Sequence, residues 1–195
     1  MHKSRLTTKE KWLGRVKRQF AKHVGALSSD QQGTSAIEFA FFASLLSFAA
    51  LNVADVSIYI YQRMQVENAA QMGAQAVWKT CDPFQGKLPA TTSCPGLTTA
   101  VTNAVQSTSL GTQVTMQTGY PAEGYYCVNS SSLLQYVSAV TSRPADCSAA
   151  GMPSLQPADY IKIQTVFSYA PLFPGITVAG LFTTPITKTT IIRLN

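Results

Sequence analysis

The chain has 195 residues and a formal charge of +6, and that excess lies at one end. Eight of its fifteen Lys and Arg residues (Lys3, Arg5, Lys9, Lys11, Arg15, Lys17, Arg18 and Lys22) precede residue 34, opposed by Glu10 and Asp30, while the remainder carries seven charges of each sign. An apolar run follows the basic segment directly, so the positive-inside rule accounts for the charge and no nucleic-acid partner is expected. Both histidines, His2 and His23, lie in this leader, which removes imidazole-based triads and His-ligated zinc from everything downstream. The acids at 82, 123, 146 and 159 fall in separate segments, so no catalytic residue, no metal site and no cofactor is expected, and the chain does not read as an enzyme.

In chain order, Trp12, Val16, Phe20, Val24 and Leu27 recur at helical spacing among basic residues. Residues 9–27 therefore read as a basic amphipathic helix for an anionic membrane surface, or equally as a leader whose charges only set orientation. SSDQQG at 28–33 breaks the pattern. From Phe39 to Ala54 there is no charged residue, Asp55 interrupts, and Val56–Tyr61 is apolar again. Residues 36–61 make about 39 Å of helix, enough to cross a hydrocarbon core of about 30 Å. Tyr59 and Tyr61 stand where an interfacial aromatic belt would lie. A cleaved secretory signal fits poorly, because the apolar run is long, Glu38 intrudes at its start and no A-x-A site follows.

QRMQVENAAQMGAQAVWKT (62–80) lacks proline and is rich in good helix formers, so one helix is expected over 34–80. Ala69, Ala70, Gly73, Ala74 and Ala76 form a ridge of small residues on which another backbone or sheet could pack; helices this long usually associate with copies or partners. Asn52, Asp55, Tyr59 and Gln62 line one face. Asp55 is expected either at the outer headgroup level or against a partner helix.

After Cys81, prolines and glycines mark a loop. A short amphipathic helix is expected at 97–109, a strand at 112–118, a turn at 119–121, a strand at 125–129, a helical turn or two at 132–140, and loop over 143–157. DYIKIQTVFSYA (159–170) is the strongest strand pattern, 171–182 is a proline-bounded apolar excursion, and 185–194 closes with a strand. The fold class is α+β, with a long N-terminal helix and an antiparallel sheet of about four strands. The organisation expected is a basic leader (1–33), a transmembrane helix (34–62), its extension (63–80) and an exported α+β domain (81–195).

Cys81, Cys94, Cys127 and Cys147 all follow the apolar span, and none forms a C-x-x-C pair. An even count on one side of a membrane points to two disulfides in an oxidising compartment. Sequential pairing, Cys81–Cys94 and Cys127–Cys147, closes the shorter loops; the two other connectivities stay open.

The junction reads QQG then TSAIEFAFF. A basic leader ends in Gly33, and Glu38 and Phe39 follow five and six residues later. This resembles the type IV pilin processing signature. The resemblance implies cleavage of Gly33–Thr34 by a prepilin peptidase, and pairing of the new Thr34 amine with Glu38 of a neighbouring subunit, beside Phe39. A solvated first-turn acid at the headgroups is the plainer reading of Glu38. The wider resemblance, over residues 30–80, is to TadE-like proteins of tight-adherence (Flp-type) pilus systems, through G-x-x-A-x-E-F-A and QRMQVENAAQMGAQA; it is looser over 159–194. Many relatives have proline six residues after the glutamate, where this chain has Ser44, so straighter first turns are expected.

The resemblance implies a minor pseudopilin that takes part in assembling or priming a pilus. Its implied partners are the prepilin peptidase, other pilin and pseudopilin subunits, the inner-membrane assembly machinery and the lipid bilayer. The implied location is the bacterial inner membrane, N-terminus cytoplasmic and C-terminal domain periplasmic, or the extracellular pilus. The alternative is an uncleaved, membrane-anchored periplasmic binding or adhesion domain.

Overall fold

The computed structural model describes residues 31–81 and 88–195. The leader helix expected at 9–27 lies outside the described residues. The chain divides into two compact units, Met1–Leu51 and Asn52–Asn195. Helix α1 (Gln31–Thr80) contributes to both, as the unbroken apolar and alanine-rich sequence predicts.

In the first unit the described residues are helical, and Ile37, Phe39, Phe41, Phe42, Leu45, Leu46 and Phe48 are all exposed. This helix, showing large apolar side chains all round, is long and apolar enough to cross a membrane. Its hydroxyls are satisfied within the chain: Ser44 Oγ donates to the Phe41 carbonyl at 2.8 Å and Ser47 Oγ to the Ala43 carbonyl at 2.7 Å. Ser44 thus occupies the expected proline position with the helix continuous through it.

In the second unit α1 has a buried face: Asp55, Val66, Ala69, Ala70, Gly73, Ala74 and Val77 recur at three- and four-residue steps. The remaining elements are α2 (Ala90–Ser93), α3 (Leu97–Val105), β1 (Thr115–Met116), β2 (Ala122–Val128), β3 (Leu134–Ala139), β4 (Ala158–Phe167) and β5 (Ile186–Arg193). All pairings are antiparallel and centre on β4. β5 runs along one edge of β4, from Tyr160↔Arg193 to Phe167↔Ile186. On the other edge β2 pairs with residues 158–162 and β1 with Thr165 and Val166, so the two act as one interrupted strand with the Gly119–Pro121 turn looped out. β3 adds outside β2.

β4 alternates strictly. Asp159, Ile161, Ile163, Thr165 and Phe167 are buried and their neighbours are half-buried, as period-two geometry requires. Ile161 and Ile163 join Val66, Val77, Val101 and Val105 in one core cluster. Thr165 Oγ1 donates to the Val66 carbonyl at 3.0 Å, fastening the central strand to α1. The small ridge is what permits this approach. A Cβ on Gly73 would lie 2.9 Å from Val105 Cγ2 and 3.1 Å from Ile163 Cγ2. The ridge expected to take another backbone or a sheet packs on this chain's own sheet and on α3. The outer ion pair, Lys188 Nζ to Glu67 Oε2 at 3.0 Å, is exposed and contributes at most about 1 kcal/mol.

Sheet and long helix match the α+β expectation, with five strands in place of about four. Three local expectations change. Residues 132–140 form strand β3, because Asn129 organises a tight turn: its Oδ1 accepts from the Ser131 and Leu133 amides, and its own amide donates to the Leu133 carbonyl. The strand at 112–118 shrinks to Thr115–Met116, preceded by a 3-10 turn at Gly111–Gln113. The helix at 97–109 ends at Val105.

Both disulfides follow the sequential pairing. Cys81–Cys94 has a Cα–Cα distance of 5.6 Å and Cys127–Cys147 one of 5.7 Å. The second holds a small satellite cluster with Ala150, against which Val137 and Met152 pack. Closing loops of 13 and 20 residues, each bridge stabilises by about 3 kcal/mol in the chain-entropy account.

Candidate functional site

Gly33, Thr34, Glu38 and Phe39 all lie in the opening turns of α1 and are exposed. Thr34 and Glu38 stand one turn apart on the same face, since positions i and i+4 overlie each other. Nothing lies within 4 Å of where a Gly33 Cβ would be. A carboxylate, a glycine and an aromatic ring are thus presented together on the opening turns of the helix. An ionisable group at the end of an apolar helix is costly unless it reaches headgroups or a partner.

The second polar feature of the helix is the stripe containing Asp55, and what Asp55 binds is a segment of its own chain in place of a partner helix. Asp55 is fully buried beneath the 169–178 segment. Its Oδ1 accepts from the Leu172 amide at 2.9 Å and from the Tyr169 hydroxyl at 3.3 Å. Its Oδ2 accepts from the Phe173 amide at 3.4 Å and from the Thr177 hydroxyl. Three residues earlier, Asn52 Oδ1 accepts from the Val178 amide at 2.9 Å. Tyr59 completes the stripe, its ring 4.9 Å from that of Tyr169 and 4.5 Å from that of Phe182. Proline at 171 and 174 breaks β4's continuation and frees the amides of 172 and 173, which the carboxylate then collects.

A second acidic pair sits at the other end of the sheet. Glu123 on β2 accepts from the amides of Ala90 and Thr91, both at 2.7 Å, and so caps α2, whose preceding Pro89 offers no side-chain cap. Asp159 on β4 is buried. Burial first, then the charge and hydrogen bond of Glu123, push its carboxyl up to about 7 against the pull of Arg143. Between about pH 4 and pH 7 the folded unit therefore holds a proton that the unfolded chain has released. The unit should be most stable on the acid side of that window, lose up to a few kcal/mol as pH rises through it, and level off above about 7. Urea midpoints at about pH 5 and pH 8 check this: the wild-type midpoint should fall and that of Asp159→Asn should stay nearly constant. Equal wild-type midpoints would count against the buried, protonated carboxyl.

Gly33, Thr34, Glu38 and Phe39 belong to the first unit, and the four cysteines staple the Asn52–Asn195 unit. Among the described residues no three His, Cys, Asp or Glu side chains gather as a metal site. Sequence reasoning missed the partners of Asp55 and the capping role of Glu123. The available signal was the pair of prolines around Leu172 and Phe173, which leaves backbone amides without a strand to join.

No curated protein and no solved structure matches the chain. A family model described as TadE-like protein matches residues 33–75, a segment that opens at Gly33, includes Glu38, Phe39 and Asp55, and ends two residues past Gly73. That segment, the amino-terminal span and the start of the packed helix, is what the chain shares with TadE-like proteins.

Proposed function

We propose that this chain is a minor pseudopilin. Its leader is removed between Gly33 and Thr34 by a prepilin peptidase, and it then joins other pilin and pseudopilin subunits and the inner-membrane assembly machinery to build or prime the pilus. It has no catalytic role in this reading. The observation that carries it is the exposed Glu38, five residues after Gly33, on an apolar helical end within the TadE-like segment. In this reading the expected 34–62 span shortens, because the packed unit begins at Asn52: the bilayer takes up residues 33–51, about 28 Å of helix, close to the thickness of a hydrocarbon core. The disulfide-stapled unit from Asn52 onward lies on the oxidising, periplasmic side.

Cleavage creates a cationic amine at Thr34, and Glu38 of a neighbouring subunit is its counter-charge. Subunits sliding past one another in the membrane would settle where the two meet, which sets the stagger of a filament. Glu38→Gln keeps shape and removes charge. It should leave cleavage and folding of the far-side unit intact and reduce co-purification with other pilins several-fold, because a desolvated charged hydrogen bond is worth about 1.5–3 kcal/mol. A solvated first-turn acid is worth only about 0.3–1 kcal/mol. Normal pili and normal pilin co-purification in a Glu38→Gln strain would remove the pairing role.

A further inference from the structure

The segment 171–182 is apolar, and it turns four of its aliphatic side chains outward. Leu181 is 87% exposed and Leu172 60%, with Ile176 and Val178 about half exposed. No charged residue occurs between Lys162 and Lys188. Exposed leucine, isoleucine and valine clustered on one loop mark a surface built to meet something apolar.

The attachment of this loop says what that is. The Leu172 and Phe173 amides and the Thr177 hydroxyl bind Asp55, and the Val178 amide binds Asn52. Whatever depth Asn52 and Asp55 take in a membrane, the loop takes too. Asn52 follows the apolar stretch that begins at Gly33, and that stretch has the length of a hydrocarbon core. The loop is therefore held at the plane where the helix leaves the bilayer.

We infer that residues 171–182 form a membrane-embedded wedge: Leu172, Ile176, Val178 and Leu181 enter the acyl chains of the outer leaflet beside the helix, and the Asp55 network holds the loop there. This rests on the reading that residues 33–51 span the bilayer. The chain then has two apolar attachments to one leaflet, helix and loop. The polar backbone of the loop is eased at that depth because Asp55 and Asn52 take up the amides of Leu172, Phe173 and Val178, and loop carbonyls take up those of Ile176, Thr177 and Phe182. A second copy of the chain covering the same patch is the competing occupant. Lipid is favoured because the patch is fastened to Asn52 and Asp55, which directly follow the apolar span in the chain.

The full-length chain reconstituted in phosphatidylethanolamine–phosphatidylglycerol vesicles tests this. The described cysteines are all paired, so a single added thiol can carry an environment-sensitive fluorophore. Three positions are labelled in turn: Leu181→Cys on the loop, Leu46→Cys on the span, and Ser131→Cys in the β2–β3 turn, which lies beyond the opposite end of β4. Lipids bearing a nitroxide just below the headgroup serve as quencher. With insertion about 5–10 Å into the headgroup and acyl boundary, roughly half or more of the Leu181 fluorescence should be lost, and little of that at Ser131. Quenching at Leu46 with none at Leu181 would overturn the wedge while leaving the span intact. Absence of quenching at both positions would overturn the span and the wedge with it. A blue-shifted, unquenched Leu181 signal that disappears on dilution with lipid would show a second copy on the patch and would also overturn the wedge.

Discussion

Asp55→Ala is expected to lower the stability of the Asn52–Asn195 unit by about 3–5 kcal/mol, because it strands several buried donors at once. The carboxylate accepts from two amides, a tyrosine hydroxyl and a threonine hydroxyl, and is itself wholly buried. Alanine leaves the Leu172 and Phe173 amides with no acceptor and opens a void beside the Tyr59, Tyr169 and Phe182 rings. Asp55→Asn should be milder, about 2 kcal/mol, since its amide oxygen still accepts while its NH2 meets a donor. Urea unfolding of the full-length chain in detergent, followed by near-UV circular dichroism from the aromatic cluster, gives both values. An Asp55→Ala midpoint within experimental error of wild type would mean that the segment 169–178 does not depend on this carboxylate.

Gly73→Leu is expected to lower stability by about 3 kcal/mol or more, because the place a side chain would occupy is already filled by β-branched residues with little rotamer freedom. Val105 Cγ2 and Ile163 Cγ2 lie 2.9 and 3.1 Å from the Cβ position. Two effects oppose each other in Gly73→Ala. Alanine gains about 1 kcal/mol of helix propensity, and overpacking costs about 1–3 kcal/mol, so the net change should be a small loss. The contrast is diagnostic. Gln75→Leu, exposed two residues along the same helix, should change stability by no more than about 0.5 kcal/mol. A Gly73→Leu variant as stable as Gln75→Leu would show that the small ridge faces away from the sheet and is available to a neighbour after all.

The parts of the fold written in local periodicity were legible. The uncharged run 39–54 and the proline-free 62–80 gave α1, and the alternation of 159–167 gave the central strand. Residues 132–140 read as helical because Leu133, Val137 and Val140 recur at helical intervals, whereas the Asn129 turn and pairing with β2 decide their conformation. The same limit explains the site. Gly33, Glu38 and Phe39 are close in sequence, so their arrangement can be read directly. Asp55 and Leu172 are 117 positions apart, and no local pattern connects them. The stripe of Asn52, Asp55 and Tyr59 was visible, but a stripe says only that a partner exists. Gly73 and its neighbours were recognised as a close-packing ridge for a comparable reason, and tertiary structure supplied the sheet of the same chain as the occupant.

Processing at Gly33–Thr34 separates a pseudopilin from a fixed anchor, and the mature N-terminus reads it out. Intact mass and terminal peptide mapping of the protein from cells with the prepilin peptidase should find Thr34 as the first residue. Cells lacking the peptidase, or carrying a Gly33 variant with a large side chain, should retain the leader, since the protease subsite for glycine has no room for one. Methionine at the N-terminus in peptidase-competent cells would contradict the account and leave an uncleaved, membrane-anchored domain in its place.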